Sequence, residues 1–192
     1  ADRMREEGQL SWPAFERKYL SREDGFKYEW VNGKVEKTRQ SMNQYQLFIL
    51  LNLRQHFDTL RDGGKINGAL EQEIDTFFLE TIHRRPDVAY FSPEQLARMA
   101  YGNNQVPSFV IEIISGTDAV NRVTKKLKNY REAGVKVIWQ IFPELEEIHV
   151  YLGVQMTICR EDDHCSAAPA LPAFELSASK VFEKPPLPET TI

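Results

Sequence analysis

Cysteine is nearly absent from this chain. Its two copies in 192 residues, Cys159 and Cys165, have neither C-x-x-C spacing nor further ligands nearby. Reduced thiols are therefore expected, and a disulfide framework or a zinc site is not. His164 stands between them without completing a ligand set. The other histidines, His56, His83 and His149, form no cluster, and no Ser/His/Asp or Cys/His arrangement follows from their spacing. Phosphate-cradling glycine patterns are missing too: Gly63-Gly64 and Gly68 match neither a P-loop nor a dinucleotide fingerprint. No apolar run reaches the roughly 18 residues of a membrane-spanning helix. The start, Ala1-Asp2-Arg3-Met4-Arg5-Glu6-Glu7, is charged and lacks the apolar core of a signal peptide, so a cytoplasmic location is expected. Positive charge is not in excess either. With 24 Lys and Arg against 28 Asp and Glu, the net charge of −4 argues against a broad, nonspecific nucleic-acid footprint and confines any attraction for phosphate to a local patch.

What remains is enough for one core. The length of 192 residues and 42% hydrophobic content fit a single domain over 1–192, with a Pro-rich tail from about 167 that packs as extended chain. Ser11 is placed to cap a helix with Pro13 in its first turn, running to about Leu20. Phe26 to Val31 and Lys34 to Thr38 flank Asn32-Gly33, a two-residue hairpin signal. Met42 to about Leu60 has the period of a long amphipathic helix ending near Gly63-Gly64. Strands then fit Ala69 to Phe78, Pro86 to Phe91, Phe109 to Ile114, Val137 to Phe142 and Glu147 to Leu152, with a short helix after Ser92-Pro93. The fold class is α/β with a mixed sheet.

One residue breaks the pattern informatively. Glu112 stands inside the apolar run Ser108-Phe109-Val110-Ile111-Glu112-Ile113-Ile114-Ser115, which reads as a strand covered on both faces. An ionised carboxylate there is costly without a compensating partner. Upstream, Arg84-Arg85-Pro86-Asp87-Val88-Ala89 begins a second strand with Asp87 and Ala89 on one face. Two carboxylates on neighbouring strands make a hard-oxygen site suited to magnesium or manganese. The competing reading is a structural ion pair between Glu112 and Arg84 or Arg85.

After Ser115-Gly116-Thr117-Asp118 comes a helical pattern from Ala119 to Ala133, stopped by Gly134. Val123, Leu127 and Tyr130 fall on one stripe facing the sheet. At about 100° per residue Lys126 lies roughly 40° from Tyr130, on the rim of that stripe, whereas Lys125 points nearly away. Lys126 is therefore placed to reach back toward the carboxylates, and Lys125 and Lys128 read as solvated. Ser115 and Asp118 read as caps of this helix.

An acidic pair, a strand-borne glutamate and a lysine from the next helix resemble the PD-(D/E)XK nuclease superfamily, although Ile114 stands where its usual lysine would be. Over nearly its whole length the chain resembles the Uma-type endonucleases, a restriction-endonuclease-like family whose catalytic lysine sits on the following helix. The resemblance is carried by Tyr28-Glu29-Trp30-Val31-Asn32-Gly33-Lys34-Val35-Glu36, by Arg85-Pro86-Asp87-Val88, by Val110 to Asp118 with Lys126, Tyr130 and Gly134-Val135, and by Val137-Ile138-Trp139-Gln140-Ile141-Phe142-Pro143. Two positions depart from it: Ser115-Gly116 replaces a common Ser-Pro, and Gln44 or Gln46 stands where a histidine is common.

The resemblance implies a restriction-endonuclease-like mixed sheet flanked by helices and metal-assisted phosphodiester hydrolysis. Asp87 and Glu112 would hold Mg2+ or Mn2+ with the backbone carbonyl of Ile113 as a further ligand. Lys126 would orient or deprotonate the attacking water. Glu29 corresponds to an acidic residue pointing into the site; its alternative is a solvated strand position. Glu71, Gln72 and Glu73 offer one further pocket residue. Arg84, Arg85, Arg122, Lys125 and Lys128 form the candidate nucleic-acid patch, with DNA the expected partner and a homodimer the arrangement that would present two sites. A relative that binds without cutting, or a protein that only binds a partner, are the alternatives, and dependence on metal discriminates them.

Overall fold

The computed structural model describes residues 8–39 and 44–189. The expected helix start at Met42 and the charged N-terminus lie outside the described residues.

Chain order begins with a short helix, α1 (Trp12–Phe15), continued as a π-helical turn over Glu16–Leu20. Ser11 precedes it in extended conformation, but its side chain makes no capping bond. The hairpin follows, β1 (Phe26–Val31) and β2 (Lys34–Arg39). Asn32 and Gly33 take φ of 50° and 80°, the left-handed pair that a two-residue turn requires and that asparagine and glycine tolerate. The long helix is α2 (Leu47–Asp62).

The single strand expected from Ala69 to Phe78 is two strands in different sheets, β3 (Ala69–Gln72) and β4 (Thr76–Leu79). Between them Glu73 sits at φ 51°, a bend that the apolar–polar alternation does not reveal. Then come β5 (Ile82–Arg84), β6 (Val88–Phe91), α3 (Pro93–Ala100), β7 (Phe109–Ile113), α4 (Val120–Glu132), β8 (Val137–Phe142) and β9 (Glu147–Leu152). Ser92 and Gln95 close a capping box on α3.

Beyond these the chain adds β10 (Gln155–Arg160), β11 (His164–Ser166), β12 (Glu175–Ser177) and α5 (Ala178–Val181). The extended tail expected from about 167 therefore starts later. Ala167, Leu171, Phe174, Leu176, Ala178, Val181 and Phe182 are buried in the main core, and only the proline run near 185–188 is exposed extended chain. Their apolar side chains, rather than the prolines among them, decide where this segment goes.

Six strands form the main sheet in the order β10-β9-β8-β7-β6-β3. The β7–β8 pair is parallel, joined through α4, and its other pairs are antiparallel, so the sheet is mixed. A second sheet runs β2-β1-β5-β4. The two-residue period of the central strands sorts their side chains. Phe109 and Ile111, Val137, Trp139 and Ile141, and Val88 and Tyr90 join the core with α2 and the C-terminal segment. Val110, Ile138, Ala89 and Phe91 face the other way, into a core shared with Leu127 and Tyr130 of α4 and Val31, Phe78 and Ile82 of the second sheet. Each large apolar side chain buried this way stabilises the fold by roughly 1.5–3 kcal/mol relative to an exposed one. Glu112 continues the second row after Val110, and Gln140 continues it after Ile138. The strands thus run out of apolar residues on this face where the two sheets and α4 meet.

Candidate active site

That junction holds a cavity of about 390 Å³. Asp87, from the residue before β6, and Glu112, from the end of β7, both line it, as do Lys126 and Tyr130 of α4. Gln140 pairs in register with Glu112 across the parallel strands and lines it too.

The Asp87 carboxylate is held at both oxygens. Oδ2 accepts the Ile113 backbone N–H at 2.8 Å, and Oδ1 accepts from the Lys27 ammonium at 2.8 Å. Burial opposes its ionisation, but Lys27 and Lys126 outweigh that and keep its pKa below the ordinary value. Glu112 is 5% exposed, and the Tyr130 hydroxyl donates a short hydrogen bond to its Oε1. Lys126 Nζ lies 3.5 Å from the same oxygen. Burial dominates at Glu112: although Lys126 and Lys27 pull its pKa down, desolvation with Asp87 and Glu29 nearby pushes it up to about 7. The pair of Glu112 with Arg84 or Arg85, weighed from sequence, does not form; Tyr130 and Lys126 are its partners.

Lys126 stands where the helical wheel puts it. Its side chain is 11% exposed against 48% for Lys125 and 68% for Lys128, so one lysine of the three turns inward. The helix that carries it ends in a Schellman turn, Gly134 at φ 84° with its N–H on Arg131 O and Val135 N–H on Tyr130 O. Its start differs from expectation: the N-cap is Ala119, and the Asp118 carboxylate instead accepts from Ser115 N–H and Oγ, closing the preceding loop.

Glu29 is neither solvated nor a lining residue of the cavity. It is fully buried behind the site, with Oε1 accepting the Arg85 N–H at 2.8 Å and lying 3.4 Å from Lys126 Nζ, and Oε2 bonded to Arg84 at 3.0 Å. Burial alone would raise its pKa, yet Lys126, Arg84 and Lys27 hold it down to about 2. Glu29 thus steadies Lys126 from below.

The expected nucleic-acid patch needs correction. Arg84 is completely buried, bridging Glu29 and Glu36 with its NH1 and donating to Asn129 Oδ1 through Nε and NH2. No phosphate reaches it. Arg85 packs 3.2 Å from Asp75, Lys125 pairs with Glu36 at 2.7 Å, and Lys128 pairs with Glu132 at 3.5 Å along α4. Of the five cations only Arg122 lines the cavity, and Arg39, at the end of β2, lines it as well. Of the three candidates at 71–73, Gln72 of β3 and Glu73 just after it line the cavity while Glu71 turns out to Arg54 at 3.3 Å.

Lys27 was not among the expected residues. Alternation on β1 could have found it, since Lys27, Glu29 and Val31 share one face. A lysine at the start of a hairpin strand gives no other sign of burial, yet this one is 5% exposed.

The family model described as "Putative restriction endonuclease" (Uma2) matches residues 12–179. A crystal structure described as a putative nuclease belonging to DUF820 from Anabaena variabilis ATCC 29413 superposes with a TM-score of 0.66 at 20% identity, covering 81% of this chain and 89% of that one. The likeness supports a restriction-endonuclease-like fold. No curated protein matches the sequence.

Proposed function

This chain belongs to the Uma2 family of putative restriction endonucleases, and we propose that it is a divalent-metal-dependent nuclease hydrolysing phosphodiester bonds of DNA. The observation that carries this reading is the meeting of Asp87, Glu112 and Lys126 on one cavity at the junction of the two sheets.

The donor set fits Mg2+ or Mn2+. Among the described residues no cluster of three or more His, Cys, Asp or Glu side chains is arranged for a metal, so the protein would offer two carboxylates and a backbone oxygen, with water filling the remaining positions. Ile113 suits the backbone role. Its N–H points to the β6 side, onto Asp87, and in an extended strand the carbonyl of the same residue points that way too. There β6 no longer pairs with β7, whose ladder with it runs only as far as Ile111.

A bound divalent ion supplies Lewis-acid stabilisation of charge on the phosphate and acidifies the attacking water. The protein's own groups do the rest. Lys126, steadied by Glu29, presents its ammonium beside Glu112 to orient that water and to offset charge developing on the phosphate. Tyr130 fixes the Glu112 rotamer. Arg39 and Arg122 at the cavity edge supply local cations for the strand backbone, which an acidic chain otherwise lacks.

The test is nicking of supercoiled plasmid in millimolar Mn2+ or Mg2+. Conversion to open-circular or linear DNA is expected, stopping in EDTA and in Glu112→Gln. Cleavage that survives EDTA, or that Glu112→Gln retains in full, would overturn the proposal.

A further inference from the structure

Lys27 is the one buried cation of the site that the hydrolytic reading leaves without a task. Its ammonium donates to the Arg85 carbonyl and to Asp87 Oδ1, both at 2.8 Å, and lies 3.7 Å from Glu73 Oε1. Lys27, Asp87 and Glu73 all line the cavity. Because Asp87 Oδ2 is already bonded to the Ile113 N–H, Lys27 occupies the oxygen that is not tied to the sheet. We propose that Lys27 is the resident counter-cation of the site: it competes with the divalent ion for Asp87 and so sets how weakly the free protein holds metal.

The inference rests on the metal-dependent reading above and adds to it. A metal–oxygen contact of about 2.1 Å on a carboxylate that also carries an ammonium at hydrogen-bond distance puts the two cations within about 5 Å of each other. Even with the full screening of bulk water, a unit charge that close to a dication weakens its binding by about tenfold, and lower effective dielectric makes the effect larger. Glu73 gives the displaced ammonium somewhere to go. When Asp87 takes metal, Lys27 moves the short distance toward Glu73, so the site has two charge-balanced arrangements of the same side chains.

A lysine that only props up the site would behave oppositely, since its loss would loosen Asp87 and weaken metal binding. The experiment titrates Mn2+ into the full chain by calorimetry and follows the Mn2+-induced rise in melting temperature, for wild type, Lys27→Met, Lys27→Gln, Glu73→Gln and Asp87→Asn. Lys27→Met and Lys27→Gln are expected to bind Mn2+ at least about tenfold more tightly than wild type and to show a larger thermal rise, while their metal-free forms melt lower. Glu73→Gln, which removes the alternative partner, is expected to bind more weakly. Equal or weaker binding in both Lys27 variants would overturn the proposal even though wild type binds metal. If neither Lys27 variant folds, Glu73→Gln decides, an unchanged dissociation constant counting against it. Absence of binding in every protein would instead remove the metal reading and this inference with it.

Discussion

Arg84→Met tests whether this arginine holds the fold or meets nucleic acid. Arg84 is completely enclosed and its guanidinium is shared by Glu29, Glu36 and the Asn129 side chain. Methionine approximates its volume and removes its charge, leaving Glu29 with Lys126 at 3.4 Å and the Arg85 N–H as its remaining partners. Removing one member of a buried ionic network typically costs about 3–5 kcal/mol, because the remaining charge is left incompletely compensated. At about 3 °C per kcal/mol for a chain of this size, the lower figure predicts a fall in melting temperature of about 10 °C. Lys125→Ala is the matched control. It also removes a cation from Glu36, but Lys125 is half exposed, so less than about 1 kcal/mol is expected. Urea unfolding with a fixed m-value measures both. Less than about 1 kcal/mol lost in Arg84→Met, or weakened DNA binding with unchanged stability, would refute the structural assignment.

Lys126→Ala is expected to slow plasmid cleavage by about a hundredfold or more, the scale for losing an electrostatic stabiliser, while Lys125→Ala and Lys128→Ala keep most of the rate and leave the salt dependence of binding unchanged or slightly lower; equal losses in all three would discard the inward assignment of Lys126. Glu112 sets a pH dependence in metal-free buffer. Its folded pKa of about 7 lies above the ordinary 4.5, so the folded state holds this proton more tightly than the unfolded chain does. The resulting stability is fully present below about 4.5 and is lost as pH rises through about 7. Glu112→Gln, which cannot titrate, is expected to flatten that part of the profile; an unchanged slope between pH 5 and 7.5 would show that another group carries it.

Much of this arrangement was legible because the chemistry sits on regular elements. Asn32-Gly33 fixes the hairpin, the lone carboxylate in β7 marks the end of an apolar row, and the 100° helical step picks Lys126 from three nearby lysines. What escaped depends on contacts between segments far apart in sequence. Nothing in Arg84-Arg85 distinguishes an arginine that will be sealed under two glutamates from one that will face phosphate, since the difference is made by Glu29 and Glu36 arriving from the hairpin. Lys27 showed only through the alternation that puts it on one face with Glu29, and its burial is made by Arg85 and Asp87 arriving from another segment. The split of the expected 69–78 strand turned on the backbone of Glu73, a residue type with no special preference for positive φ. In the C-terminal segment, prolines masked apolar residues whose burial is plain only once the sheet they cover is in place.

On the nuclease reading, the charges around the cavity are what would let an acidic chain serve a polyanion. Glu29 and Glu112 come from β1 and β7 and Asp87 from the residue before β6, and Lys27, Lys126 and Arg84 stand against them, so these six buried or nearly buried groups nominally cancel. At the cavity burial lets Glu112 keep its proton up to near neutral pH, and behind it Glu29 is held ionised by Lys126 and Arg84. On the nuclease reading a divalent ion entering at Asp87 and Glu112 turns the cavity net positive, and a phosphodiester is the group that restores neutrality. Metal and DNA should then strengthen each other's binding at this one point, and the −4 charge of the whole chain discourages nucleic acid everywhere else.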